Sequence, residues 1–400
     1  MNVLIVTSNL PYPPTSGGAI RTHGIAEGLH RAGHNVTLLC FDDGTTPTPD
    51  HLQVITVPPP SARGKIDRLR DLLFTRTADI EKRLYDERMA STLRDLLTQH
   101  TFDLAQFEGI EMACYLPITR QAAPGVKLSF DTFNAEYALQ RSIFGVDVRD
   151  PRRWPAAVYS FLQIGRIRRY ESRICEMADC VFAVSEEDAV LLRPLRADRQ
   201  IHVVNSGIWV ERYITAVDPI TADGPTLVFT GSMGYRPNVD AMLWFTEAIF
   251  PQVQAAIADA QLLIVGKDPH PRLEPLRALP GITLTGRVPS VAPYLQGADL
   301  FVVPLRMGSG TRLKLLEAMA SECAIVATTA ASAGLNDAVK TTMCITDSAD
   351  DMAAAIIDLL NHPQKREALR TQTRERVAEY YDWSVLIPQM IAAYQHIGLR

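Results

Sequence analysis

The apolar residues of this chain fall in short continuous runs rather than in alternation. Residues 2–7 (Asn-Val-Leu-Ile-Val-Thr) open the pattern. A run without polar interruption suits a strand buried on both faces, as in a parallel sheet covered by helices. Further runs occupy residues 35–40, 52–57, 103–107, 126–130, 179–184 and 201–204. Between them the spacing is helical, first over about 19–32, stopped by Gly33, and then over the charged region 62–99. A glycine just past the last turn ends a helix because it takes the left-handed conformation without steric cost. The pattern restarts at residues 226–230 and continues through 261–265, 282–284, 299–303 and 324–327. Three tail helices are predicted, at about 349–360, 364–380 and 383–397.

Strands separated by helices pair in parallel through right-handed crossovers. The predicted class is therefore α/β, with two Rossmann-like, doubly wound domains. Four hundred residues also exceed one ordinary core. Pro219, Asp223, Gly224 and Pro225 cluster at the junction. The expected boundaries are 1–207 for the first domain, 208–380 for the second, and 381–400 for a final helix. Open sheets of this kind bind ligands at the carboxyl ends of their strands, so two facing sheets are expected to share a cleft.

Composition removes several function classes. The formal charge of −5 argues against a general nucleic-acid binder. No apolar run approaches the length of a membrane span. The N-terminus enters a strand directly, without a basic leader, which points to a cytoplasmic protein. Six cysteines are scattered with no C-x-x-C, and none of the nine histidines has metal-ligand spacing, so neither a metal nor a cofactor is expected. Dinucleotide and P-loop glycine motifs are also absent.

The most informative segment runs from Met307 to Ala320. A predicted buried strand leads into Gly308, Ser309 and Gly310, and a helix follows with Thr311, Arg312, Lys314 and Glu317. A helix N-terminus presents unpaired N–H groups and attracts an anion. Two cations in the first turn oppose the helix dipole, and an anionic ligand would remove that conflict. The plain alternative is a surface Lys314–Glu317 pair at i, i+3. A second glycine pair, Gly17-Gly18, follows the first strand. Arg149–Arg173 carries seven arginines against two acids, with Trp154, Tyr159, Phe161 and Leu162 among them. It reads first as a solvated helix packed on the N-terminal half, and its composition also fits peripheral contact with an anionic membrane surface.

Several motifs in order resemble retaining glycosyltransferases of family-4 type (group 1) with the GT-B fold. They are Leu10-Pro11-Tyr12-Pro13-Pro14 with Ser16-Gly17-Gly18 and Arg21, then Val204-Asn205-Ser206-Gly207-Ile208 and Phe229-Thr230-Gly231-Ser232-Met233. Leu263-Ile264-Val265-Gly266, Gly286-Arg287-Val288, Tyr294-Leu295-Gln296-Gly297-Ala298-Asp299 and Asp382-Trp383-Ser384 follow. The resemblance covers essentially the whole chain. It implies a hexosyl- or glycosyltransferase (EC 2.4 class) that moves a sugar from a UDP- or GDP-type nucleotide sugar to a glycan, lipid-linked or small-molecule acceptor. It also implies no metal, a final helix returning to the N-domain, and a role in polysaccharide or glycoconjugate biosynthesis.

Carried over residue by residue, the resemblance assigns donor binding to Gly17, Gly18, Ser232, Arg236, Val288, Gly308, Ser309, Gly310, Thr311, Arg312 and Glu317. Glu317 would meet the ribose, and Lys314 the departing diphosphate. Asp131 or Asn134 would touch the donor sugar or the acceptor hydroxyl. The chain departs from the family where two glutamates usually stand eight apart, because the first position here is Ser309. Ser232 and Pro237 replace a usual Arg and Lys, with Arg236 adjacent to supply charge. Two other readings fit the same fold: a nucleotide-sugar epimerase, and a catalytically silent nucleotide-sugar-binding protein.

Overall fold

A computed structural model describes residues 1–14, 16–149, 151–197, 199–214, 218–307 and 313–399. The chain divides into two compact units, Met1–Asn205 with Leu386–Arg400, and Ser206–Val385.

The first unit is built on a seven-stranded parallel sheet: β1 Asn2–Thr7, β2 Asn35–Phe41, β3 Gln53–Val57, β4 Leu104–Glu108, β5 Lys127–Thr132, β6 Cys180–Ala183 and β7 His202–Val203. The spatial order is β3-β2-β1-β4-β5-β6-β7. The order reverses between β1 and β4, so the crevice at the carboxyl ends of those two strands is the natural ligand position. Val3 to Val6 are fully buried, as their uninterrupted run requires. The edge strand β3 is only partly buried. The helix Gly17–Arg31 starts at Ser16, whose hydroxyl accepts from the Ala19 amide. It ends where Gly33 turns left-handed, with φ +84. The C-terminal segment belongs to this unit. Ile387 packs so tightly on Gly28 that a Cβ there would lie 2.2 Å from its Cγ1.

The second unit repeats the plan with β8 Thr226–Thr230, β9 Gln261–Val265, β10 Ile282–Gly286, β11 Leu300–Val303, β12 Ala324–Ala327 and β13 Cys344–Ile345. All pairs are parallel, in the order β10-β9-β8-β11-β12-β13, with the switch point between β8 and β11. The doubly wound α/β class expected from the sequence is what forms. The region 62–99 resolves into the helices Lys65–Phe74, Asp79–Arg83 and Glu87–Gln99. β5 runs two residues further than expected, which places Asp131 inside the strand rather than in the turn after it. All six cysteines are free thiols.

Candidate functional site

In the second unit, β8 and β9 end on two glycines whose backbones touch. A Cβ on Gly266 would lie 1.7 Å from the Gly231 carbonyl oxygen. A Cβ on Gly231 would in turn come within 2.8 Å of Lys314 Nζ and 2.7 Å of Asn238 Nδ2. Glycine at 231 therefore makes room for an ammonium group at the carboxyl end of β8. Lys314 Nζ donates to Asn238 Oδ1 at 2.8 Å and sits 4.1 Å from the centre of the Phe229 ring. The ring face stabilises a cation placed over it. Asn238 is itself oriented by donating its amide to the Ser232 carbonyl at 2.9 Å. Ser232 thus enters the site through its backbone.

Glu317 lies one turn beyond Lys314 on the helix Leu313–Ala320. The Tyr213 hydroxyl donates to Glu317 Oε1 at 3.0 Å, and the Tyr213 carbonyl accepts from Gln296 Nε2 at 2.9 Å. Burial pushes the Glu317 carboxyl above its ordinary range, against the Tyr213 hydrogen bond and the charge of Lys314. Burial likewise raises the Tyr213 phenol, with Glu317 adding to the shift, so Tyr213 stays a donor at neutral pH. The plain alternative, a Lys314–Glu317 ion pair, is not found among the described residues: Lys314 donates to Asn238, and Glu317 accepts from Tyr213. Arg236 is exposed at the first position of the helix Arg236–Trp244. Val288 is partly buried beyond β10, past Gly286 at φ +73. Gly308, Ser309, Gly310, Thr311 and Arg312 lie outside the described residues.

The corresponding place in the first unit has a different character. Glu108 and Asp131 are register partners on β4 and β5, so their side chains share a face. Arg21 clamps Asp131 with Nε to Oδ2 at 2.6 Å and Nη2 to Oδ1 at 2.7 Å. Arg21, Glu108 and Asp131 are all buried, with Asp131 at 0% exposure. Gln106 Nε2 donates to Glu108 Oε1 at 2.6 Å, Thr22 Oγ1 donates to Oε2 at 3.2 Å, and the Tyr394 hydroxyl donates to Gln106 Oε1. Burial and the Asp131 charge raise the Glu108 carboxyl well above its usual range. Burial opposes the charge on Arg21, but Asp131 and then Glu108 overcome it and hold the guanidinium protonated. Arg21, Asp131 and Glu108 thus close on one another inside the unit. The residue expected to touch the donor sugar or the acceptor hydroxyl, Asp131, lies within this buried set, with both carboxylate oxygens on Arg21.

Gly18 and Gly109 bracket the Phe133 ring, where an added Cβ would lie 3.0 and 3.2 Å from its Cε2. Gly17 is exposed beside them. The Asn134 amide donates to Glu136 Oε1 at 3.3 Å and does not join Asp131. The helix Glu136–Asp147 has its first amides taken by the protein's own acids: Glu171 accepts from the Glu136 and Tyr137 amides at 2.8 and 3.2 Å, and Asp188 from Ala135 at 2.9 Å. Burial lifts Glu171 to about 8 and, with Glu111 adding, Glu136 to about 7.

Sequence reasoning missed Asn238, Tyr213, Glu108 and Gln106. Asn238 had a signal, since it falls in the first turn of the helix that follows the glycine at a strand end. Tyr213 had none, because it meets Glu317 across 104 positions.

Comparison with known proteins follows the same division. Residues 224–362 match the family described as "Glycosyl transferases group 1", and residues 16–207 match "Glycosyl transferase 4-like domain". A phosphatidyl-myo-inositol mannosyltransferase of Mycolicibacterium smegmatis is 30% identical over 203 residues, which cover 49% of this chain and 52% of the relative. The chain thus spans about half the length of the curated mannosyltransferases it matches. Two solved structures share the fold across the chain. Sucrose-phosphate synthase of Thermosynechococcus elongatus has a TM-score of 0.73 at 18% identity, covering 99% of each chain. Anabaena HepE in complex with UDP has a TM-score of 0.67 at 13% identity, covering 99% of this chain and 100% of the other.

Proposed function

Because the chain belongs to the group 1, 4-like glycosyltransferases, we propose that it transfers a sugar from a nucleotide-diphosphate sugar to a glycan or lipid-linked acceptor. Both doubly wound units suit the GT-B fold of that family. The observation that carries the proposal is the placement of Lys314 and Glu317 one turn apart on the helix that follows β11, beside the β8–β11 switch point. One supplies a fixed ammonium for phosphate oxygens. The other supplies a half-buried acceptor for hydroxyl groups. A nucleoside diphosphate carries both kinds of group.

In this reading Lys314, seated on Phe229 and steered by Asn238, offsets the charge that develops on the leaving diphosphate. Such help is strongest when the cation is already in place, because nothing has to reorganise as charge develops. Arg236, at the start of the neighbouring helix, adds a second cation from the solvent side. Glu317 accepts from ribose hydroxyls while Tyr213 holds its other lone pairs in direction. No resident metal is assigned a step. Retention of anomeric configuration is the outcome expected of this family. A UDP-type donor is supported by the UDP complex of HepE, and a lipid-linked acceptor by the name of the mycobacterial relative.

The test is incubation of the full chain with a panel of UDP-, GDP- and ADP-sugars, followed for donor hydrolysis and transfer. Turnover of one donor is expected. Failure to bind any nucleoside diphosphate would end the proposal.

A further inference from the structure

Trp154–Met177 forms one helix of 24 residues in the first unit. Its inner face is regular: Ser160, Gln163, Ile167, Tyr170 and Ile174 are buried at spacings of three and four. The opposite stripe is not polar in its first half. Trp154, Val158 and Phe161 stand 57%, 59% and 62% exposed, with Leu162 at 40%. Further along the same stripe come Arg168 and Arg169, both exposed. No ion pair to either is found among the described residues.

The apolar surface continues onto two neighbours. The helix Lys65–Phe74 lies alongside, tied by Arg68 Nη2 to the Tyr159 hydroxyl at 3.2 Å and by Arg166 to the Asp71 and Leu72 carbonyls at 3.4 and 2.7 Å. It exposes Ile66 at 82% and Phe74 at 81%, with Arg70 between them. On the other side Phe144 meets Phe161 at 5.7 Å between ring centres. With Val148, Trp154, Val158 and Leu162 they line an apolar cavity of about 280 Å³.

A lone soluble surface rarely leaves so many large apolar groups together, so this face has an occupant. Its charge identifies which. Arg70, Arg76, Arg149, Arg153, Arg168 and Arg169 are exposed around the patch, Arg70 and Arg153 with ion pairs to Asp67 and Asp147. Of the two acids in Arg149–Arg173, Glu171 is fully buried on the helix Glu136–Asp147. A second copy of this chain would bring the same arginines against themselves. An anionic surface neutralises them. We propose that this face docks on an anionic lipid bilayer, with the helix Trp154–Met177 lying in the interface plane. Its apolar half, with Ile66 and Phe74, enters the acyl boundary, and the arginines meet lipid headgroups. None of the described helices is long and apolar enough to cross a membrane, so the contact is peripheral.

Flotation of the full chain with phosphatidylglycerol-containing vesicles, against pure phosphatidylcholine vesicles, tests this. Binding to the anionic vesicles that weakens with salt is expected. Brominated lipids should quench a Trp signal that is missing in Trp154→Phe. The double variant Val158→Asp/Phe161→Asp should lose flotation while keeping donor hydrolysis. Arg168→Glu/Arg169→Glu should weaken anionic-vesicle binding by about 30-fold or more. Wild-type protein that does not float, or an aspartate variant that floats equally well, overturns the proposal. So does a wild-type dimer that the aspartate variant splits into monomers, because the face would then be a subunit interface.

Discussion

Asp131 and Glu317 are both acidic residues near the switch point of a parallel sheet, and they are held in opposite ways. Asp131 has both oxygens clamped by Arg21, and Glu108 beside it completes a buried set. Glu317 is held by a phenol, and burial makes its charge costly. A carboxylate with both oxygens on a buried guanidinium and no exposed surface presents no face to a ligand. A carboxylate aimed by a neutral hydroxyl still has acceptor capacity. Under the proposed function this difference divides a scaffold carboxylate from a ligand carboxylate.

The sharpest way to break the comparison is on stability. Removing one partner of a buried pair leaves the other charged and unanswered, at a cost of about 3–5 kcal/mol. Arg21→Met and Asp131→Ala should each destabilise the protein to that extent in urea titrations. A change under about 1 kcal/mol would show that the pair is not structural. Glu317→Ala should act on the ligand instead. Hydrogen bonds to a charged group are worth about 1.5–3 kcal/mol, so nucleoside diphosphate affinity should fall about 10- to 100-fold by calorimetry.

The sequence made the sheets readable because central parallel strands are covered on both faces. β1 and β8 announce themselves as unbroken apolar runs. β13, Cys344–Ile345, is two residues long and left no pattern to find. Strand order, which locates the switch points, is a long-range property that no local run encodes. The same limit explains the site. Lys314 and Glu317 were legible as a charged turn after a glycine-rich loop. Their partners Asn238 and Tyr213 come from distant elements. Asp131 was expected after the strand because a polar residue near the end of a short apolar run looks like the start of a turn. Its register with Glu108, and the buried Arg21 that answers both, appear only once β4 and β5 pair.

Two further predictions are smaller. Glu136 and Glu171 titrate near 7 and 8 in the folded protein, above the ordinary 4.5 of glutamate. Between those limits the folded state holds more protons than the unfolded chain, so stability should fall as pH rises from about 5 to 8, by up to about 1.4 kcal/mol per pH unit for each group. Glu171→Gln, which can still accept a hydrogen bond from a helix amide, should flatten that slope in melts recorded across pH. A slope that stays the same would remove Glu171 from the explanation. Tyr213→Phe deletes one hydroxyl, and a loss of about fivefold in nucleotide affinity, near 1 kcal/mol, is expected with little change in melting temperature. Unaltered affinity would mean that Glu317 needs no help in being aimed.

The most direct measurement compares ligand-induced stabilisation in wild type, Asp131→Asn and Glu317→Gln with the best nucleoside diphosphate from the panel. At 100 times its dissociation constant that ligand should stabilise wild type by about 2.7 kcal/mol. Asp131→Asn should melt lower without ligand yet gain nearly the same increment, while Glu317→Gln should melt near wild type and lose most of it. The reverse result, an intact increment in Glu317→Gln and a lost one in Asp131→Asn, would contradict the division between scaffold carboxylate and ligand carboxylate.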